Sequence, residues 1–315
     1  MNDTRDLTAY HRPVLREETV ASLNIRPDGV YLDGTAGGGG HSLAIASRLT
    51  TGRLIALDQD PDAIAQCEKR LQGLPVTLIR QNFRRLDAAL DSVGVDRVDG
   101  ILLDIGVSSH QLDEADRGFS FHADAPLDMR MSQEGPTAAD LLNTLSEREL
   151  SDIFFRFGEE KFSRQIARAI VSTRDTAPLT STVQFAELIK SAVPAAVRRE
   201  GHPARRVFQA LRIAVNAELD CLSEALDLAF DRLAVGGRLS VITFHSLEDR
   251  MVKQRFAAFC EGCTCPKDFP VCVCHKTPAG KTVFRKPVEA GAEERTENPR
   301  ARSAKLRCID KLHDR

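Results

Sequence analysis

The chain has 315 residues, 42% of them hydrophobic and 28% charged, and its 43 basic and 45 acidic side chains leave a formal net charge of −2. A chain of this length buries roughly three quarters of its unfolded surface and builds its own core without disulfide staples, so the eight cysteines are expected to be reduced thiols. No run nears the ~18 uninterrupted apolar residues of a membrane span, and Met1 to Asp6 lacks the basic-then-apolar layout of a secretion signal. A soluble, cytoplasmic protein is expected.

In chain order, Val30 to Leu32 is a short apolar run that leads into a glycine cluster, Arg53 to Leu57 ends at Asp58, Val76 to Ile79 follows, and Val98 to Leu103 ends at Asp104. Between them Ser42 to Leu49, Asp62 to Leu71 and Arg84 to Leu90 carry apolar residues at helical spacing. Short strands separated by such helices predict crossover units and a parallel sheet. After Asp104 the rhythm breaks. Gly118 to Arg130 is rich in glycine and aspartate, and the next 80 or so residues read only as helices, with segments at 146–149, 159–173 and 180–193. The rhythm resumes with one long helix near Arg205 to Leu233, a Gly236-Gly237 turn and a strand from Arg238 to Phe244. Cys260 to Cys274 is a cysteine-rich stretch, Thr282 to Phe284 is strand-like, and Ala304 to Ile309 is a last strand candidate. The expected architecture is a Rossmann-like α/β sheet interrupted by an all-helical insertion: residues 1–112 and 211–315 form the sheet domain, and 113–210 form an insertion that would recognise any substrate.

Asp33-Gly34-Thr35-Ala36-Gly37-Gly38-Gly39-Gly40-His41-Ser42 follows a strand and opens a helix, so backbone passes close to a ligand at the carboxyl edge of the sheet. No register of this loop supplies G-x-G-x-x-G, and the loop carries no Gly-Lys-Ser or Gly-Lys-Thr, which excludes the usual dinucleotide and triphosphate loops here. An acid ending the first strand, a glycine loop and a second acid, Asp58, ending the next strand suit S-adenosylmethionine, because a carboxylate accepts from both ribose hydroxyls. The competing reading is a tight turn in which Asp58 only caps the following helix. Phe83 could line the adenine, and His41 at the helix start could touch the ligand.

The fourth strand ends in Leu103-Asp104-Ile105-Gly106-Val107-Ser108-Ser109, which a doubly wound sheet turns toward the cofactor. An exocyclic base amine fits acceptors such as Asp104, because hydrogen bonds from its protons restore a lone pair otherwise delocalised into the ring. A carbon-5 cytosine methyltransferase would need a Pro-Cys nucleophile, and the chain has none. Asp104 and Ser108, with His245 after the fifth strand, are the candidate catalytic residues.

Ten blocks in order between about residue 10 and residue 307 resemble one family. They include His11 to Leu15, Asp33 to Ser42, Ile101 to Asp113, Arg117 to Phe121, Pro126 to Met131, Gly158 to Glu160, His202 to Ala204, Phe208 to Arg212, Phe244 to Arg250 and Asn298 to Ser303. The chain resembles the MraW or RsmH family of bacterial small-subunit rRNA cytosine-N4 methyltransferases. The resemblance implies S-adenosylmethionine as cofactor, 16S rRNA in the small ribosomal subunit as substrate, and a cytosine in the decoding centre as target. Carried over by position, it implies cofactor contacts at Gly39, Gly40, His41, Asp58, Phe83, Asp104 and Gln111. His110 stands where the family pattern has proline, which loosens the loop that holds Gln111.

Charge is segregated along the chain. Residues 195–215 carry Arg198, Arg199, Arg205, Arg206 and Arg212 against Glu200, and residues 298–308 carry Arg300, Arg302, Lys305 and Arg307 without an acid, a net of +4 in each segment and −10 in the remainder. These two stretches, Arg198–Arg212 and Arg300–Arg307, are the candidate RNA contacts. Cys260, Cys263, Cys265, Cys272 and Cys274 with His275 have enough thiols for a tetrahedral zinc site, but their spacing is irregular and the stretch short. Reduced thiols in a mobile surface loop are the favoured reading, and no metal is assigned. Two rival functions stay open: another nucleic-acid amino-methyltransferase, although the (S/D/N)-P-P-(Y/F/W) loop is absent after the fourth strand, and a non-catalytic ribosome-assembly factor. The oligomeric state, a homodimer included, is left undetermined.

Overall fold

The structure, a computed structural model, describes residues 13–199, 202–266 and 271–315. His11, Arg12 and Glu200 of the segments above lie outside the described residues, as does the side chain of Arg199. The chain divides into two compact units, Met1–Gly106 with Asp220–Arg315, and Val107–Leu219. No helix among the described residues is long and apolar enough to cross a membrane.

The first unit begins with α1 (Arg16–Leu23), β1 (Val30–Asp33), α2 (Gly40–Ala46), β2 (Arg53–Asp58), α3 (Pro61–Arg70), β3 (Val76–Arg80), α4 (Leu86–Ser92) and β4 (Val98–Asp104). The second unit holds α5 (Ser109–Asp113), α6 (Ala138–Thr144), α7 (Glu147–Gly158), α8 (Ser163–Arg174), α9 (Thr182–Ala192), α10 (Ala195–Arg199) and α11 (Ala204–Asn216). The first unit then resumes through α12 (Glu218–Arg232), β5 (Leu233–Thr243), α13 (Ser246–Phe259), β6 (Gly280–Thr282), β7 (Val288–Glu289), α14 (Ala292–Glu297) and β8 (Lys305–Lys311).

The eight strands form one sheet in the order β3-β2-β1-β4-β5-β8-β6, with β7 also on β8. The pairs from β3 through β5 are parallel, and β8 runs antiparallel to β5. Strand order reverses between β1 and β4, which is where an open α/β sheet opens a crevice at its carboxyl edge. The central strands are buried on both faces, which is why they read as continuous apolar runs. Leu32, Ile55, Leu57, Ile101 and Leu103 face one core with α12 and α13, while Tyr31, Leu54, Ala56 and Leu102 face another with α1, α2 and α3. In α12 the buried residues Leu222, Ala225, Leu226, Ala229 and Phe230 form one helical stripe.

The second unit is helical, with a core of Phe154, Ile166, Ile170, Phe185 and Phe208. Reciprocal capping boxes start α6 (Thr137 with Asp140) and α7 (Ser146 with Glu149). Its edges fall at 107 and 219 rather than at 113 and 210, because Val107 and Leu112 pack on this core and α11 runs unbroken past 210. The single long helix expected over 205–233 is two helices. Ala217 takes a left-handed conformation, φ 48°, and ends α11. Asn216 locks the break by accepting from Met131 N (2.8 Å) and donating to Met129 O (2.8 Å). Arg212 donates to both oxygens of Glu218, at 2.7 and 2.8 Å.

Candidate active site

Parallel strands end on the same edge, so Asp33, Asp58 and Asp104, the last residues of β1, β2 and β4, emerge there together. Asp33 is fully buried; its carboxylate accepts from Ser42 Oγ (2.6 Å) and Thr35 N (3.1 Å). Burial pushes its pKa up, partly offset by the Ser42 hydroxyl. Both oxygens therefore tie the start of the glycine loop to α2, and Asp33 holds the loop in place.

Asp58 is only partly buried and faces that loop. Its Oδ2 accepts from Gly37 N (2.7 Å) and its Oδ1 from Asp60 N (2.8 Å). The helix-capping role falls to Asp60, which accepts from Asp62 N at the start of α3. Asp58 is therefore not the cap of α3, although it does tie the glycine loop through Gly37. Desolvation pushes the Asp58 carboxyl up to about 6, with the Asp60 and Asp33 charges adding to the shift. A carboxylate oxygen has two lone pairs, so after these N–H bonds each oxygen keeps one acceptor site.

The glycines are required where they stand. Gly39 has φ +75°, and a Cβ on Gly40 would lie 2.3 Å from Pro13 Cγ. The loop carbonyls are gripped from α3: Cys67 Sγ donates to Gly37 O (3.3 Å) and Arg70 Nη1 to Gly38 O (2.7 Å). Sequence reading missed both residues, because a cysteine and an arginine three apart on a helix carry no loop-binding signal. Phe83, just after β3, is half-buried against the core of the sheet, and a Cβ on Gly34 would lie 3.2 Å from its Cβ, at the start of the loop.

His41, the second residue of α2, is 6% exposed, and its Nε2 lies 3.5 Å from Asp104 Oδ2. Among the described residues neither ring nitrogen of His41 makes a hydrogen bond, and neither does the buried Oδ1 of Asp104. A buried polar atom left unpaired costs about 1–3 kcal/mol, which makes His41 and Asp104 candidates for a ligand contact; His245 Nε2 and Glu248 Oε1 are unpaired in the same way. Thr35, also missed in the sequence, steadies Asp104 by accepting from its backbone N–H at 2.7 Å.

The remaining candidates are Ser108, Gln111 and His245, the last just past the end of β5 on the same carboxyl edge as Asp104. Ser108 and Gln111 belong to the second unit, where they form the capping box of α5: Ser108 Oγ accepts from Gln111 N (3.2 Å) and Gln111 Oε1 from Ser108 N (3.0 Å). Gln111 is 4% exposed. His245 is the N-cap of α13, its Nδ1 accepting from Glu248 N (3.4 Å) and its Nε2 lying 3.0 Å from Glu248 Oε1. Glu248 is fully buried and also accepts from Phe244 N and His245 N, at 2.9 and 3.2 Å.

The basic stretches are less free than their sequence suggests. Arg307 and Lys305 lie on β8 and pair with Asp249, at 2.7 and 3.5 Å. The Arg307 and Lys305 charges also hold the Asp249 carboxyl below its ordinary value against the opposing effect of burial. Arg212 is committed to Glu218. Arg198, Arg205 and Arg206 in the second unit and Arg302 in the first are exposed.

A family model described as the MraW methylase family matches residues 8–312. A protein of Heliobacterium mobile named "Ribosomal RNA small subunit methyltransferase H" is 54% identical over 309 residues, 96% of this chain and 99% of that one. One of Lachnospira eligens with the same name is 53% identical over 307 residues, 96% of this chain and 98% of its own.

Proposed function

The chain belongs to the MraW methylase family, and from that premise we propose that it methylates the N4 amine of a cytosine in the decoding centre, the P-site region, of 16S rRNA. Its cofactor is S-adenosylmethionine, which when bound supplies an electrophilic methyl group on a sulfonium. The observation that carries the reading is the buried His41 beside the partly exposed Asp104 at the carboxyl edge, with both ring nitrogens and Asp104 Oδ1 lacking a hydrogen bond among the described residues.

Asp58 keeps one acceptor site on each oxygen for the two ribose hydroxyls, and Phe83 offers a flat apolar face for the adenine. Gly39 and Gly40 let the backbone approach the ligand without a Cβ in the way. Asp104 accepts a hydrogen bond from the N4 amine, which localises the nitrogen lone pair and aims it for in-line displacement. The amine becomes acidic once methylated, and its surplus proton leaves to Asp104 or water. The target base must be unstacked to reach this edge. The helical unit is assigned to substrate recognition, with Arg198, Arg205 and Arg206 on phosphates, so binding should weaken with salt. The reaction belongs in the cytoplasm, on the small ribosomal subunit.

The test is nucleoside mass spectrometry of 16S rRNA from a strain that lacks this gene. Loss of N4-methylated cytidine, restored by the wild-type gene, is the expected result. Unchanged N4-methylcytidine removes the proposal, and loss of a different methylated nucleoside redirects it to another amino group.

A further inference from the structure

We propose that Cys263, Cys265, Cys272 and Cys274 form a tetrathiolate site for one zinc ion that clips together the segment between α13 and β6. The four Sγ atoms all lie within 4.8 Å of one another. Cys263 to Cys272 is 3.4 Å, Cys263 to Cys274 3.6 Å, Cys272 to Cys274 3.7 Å and Cys265 to Cys272 4.0 Å. Four thiolates around zinc with Zn–S bonds of about 2.3 Å define a tetrahedron with edges of about 3.8 Å, and the observed separations bracket that length.

Backbone N–H groups are already aimed at the sulfurs, as the donors around a metal-bound thiolate are. Thr264 N donates to Cys274 Sγ (3.4 Å) and Val273 N to Cys265 Sγ (3.3 Å). The N–H groups of Lys276 and Cys265 point at Cys274 and Cys263 in the same way. Burial does not account for the convergence. Cys263, Cys272 and Cys274 are exposed, and the neighbouring Val271 and Val273 are 70% and 63% exposed, so among the described residues no apolar core gathers these thiols. Gathering four side chains on a solvent-facing loop costs conformational entropy that only a shared partner offsets.

The geometry also selects among the six candidates. Cys260 closes α13, packs against the apolar core and receives a backbone hydrogen bond from Thr282. His275 contributes no atom to the cluster. The ligand pattern is therefore C-x-C followed by C-x-C, which the irregular spacing of the whole stretch concealed. Zinc binding replaces the thiol protons, which leave to solvent, and requires no oxidant.

The test uses the full-length chain purified under reducing, anaerobic conditions, incubated with zinc and desalted. About one zinc per chain is expected, with four thiols protected from Ellman's reagent. Cobalt added to the metal-free wild-type chain should give the intense visible bands of a tetrahedral thiolate site, a readout that needs no variant. The double variant Cys263→Ser and Cys272→Ser should lose the metal, and Cys260→Ser should keep it. Less than about a tenth of an equivalent with all thiols reactive, an octahedral cobalt spectrum, or copper or iron retained in preference to zinc would each overturn the proposal.

Discussion

Asp58 offers a prediction in which folding and binding respond to pH in opposite directions. Its carboxyl is raised from 3.8 to about 6, mainly by desolvation. The folded chain thus holds this proton more tightly than the unfolded chain does, and ionising Asp58 costs the ligand-free fold at most about 3 kcal/mol. That part of the stability is present below pH 3.8 and is lost as pH rises through about 6. With Asp58 on the ribose as proposed, cofactor binding needs the ionised form, because only then does each oxygen keep an acceptor site beyond the N–H groups of Gly37 and Asp60. Affinity should therefore rise over the window in which stability falls. Two hydrogen bonds to a charged acceptor at about 1.5 kcal/mol each are worth about 100-fold in Kd, so Asp58→Ala should weaken S-adenosylhomocysteine by about that factor at neutral pH. In the wild type, Kd should rise about tenfold between pH 7.5 and pH 5, and Asp58→Asn should lack this dependence. Isothermal titration calorimetry measures the affinities, and urea unfolding of wild type against Asp58→Asn measures the stability slope. A Kd for Asp58→Ala within about threefold of wild type, or a wild-type Kd flat across the window, refutes the reasoning.

Other substitutions test separate parts of the account. Ser42→Ala removes the 2.6 Å hydroxyl bond to the buried Asp33 and should cost about 2 kcal/mol of stability, read as a lowered urea midpoint. Ala217→Gly should stabilise the chain by about 0.5–1 kcal/mol, because φ 48° strains alanine and suits glycine; a loss of stability would show that the break is not strained. His245→Ala should lower turnover more than cofactor affinity and cost about 1 kcal/mol of capping. His245→Asn, a good cap, should restore the stability and leave turnover low, whereas equal losses in turnover and affinity for His245→Ala would reduce His245 to a structural role.

Much of the sheet was legible because strands buried on both faces have a continuous apolar run that ends abruptly in an acid, as at Leu57-Asp58 and Leu103-Asp104. What escaped depends on tertiary partners. Alanine favours helix, so nothing at Ala217 warns of a break that is locked by Asn216 and by Arg212 reaching Glu218. Arg307 looks like an RNA contact until the sheet brings Asp249 to it across 58 residues. Gln111 and Ser108 at capping-box spacing suggest the pair they form, yet a family resemblance reads the same glutamine as a ligand contact. The strand-like run expected at Thr282 to Phe284 falls two residues earlier, in β6, and β7 has too few residues for any periodicity to register.

The central claim is that the edge bearing Asp58, His41 and Asp104 methylates an exocyclic amine of small-subunit rRNA. The most direct measurement incubates the purified chain with labelled S-adenosylmethionine and 30S subunits from the deletion strain, then maps the label by nuclease digestion and mass spectrometry. The account predicts a single N4-methylated cytidine in the decoding centre, abolished by Asp104→Ala with cofactor affinity largely kept. Label on a ring carbon or a ribose hydroxyl, or full activity in Asp104→Ala, would contradict it.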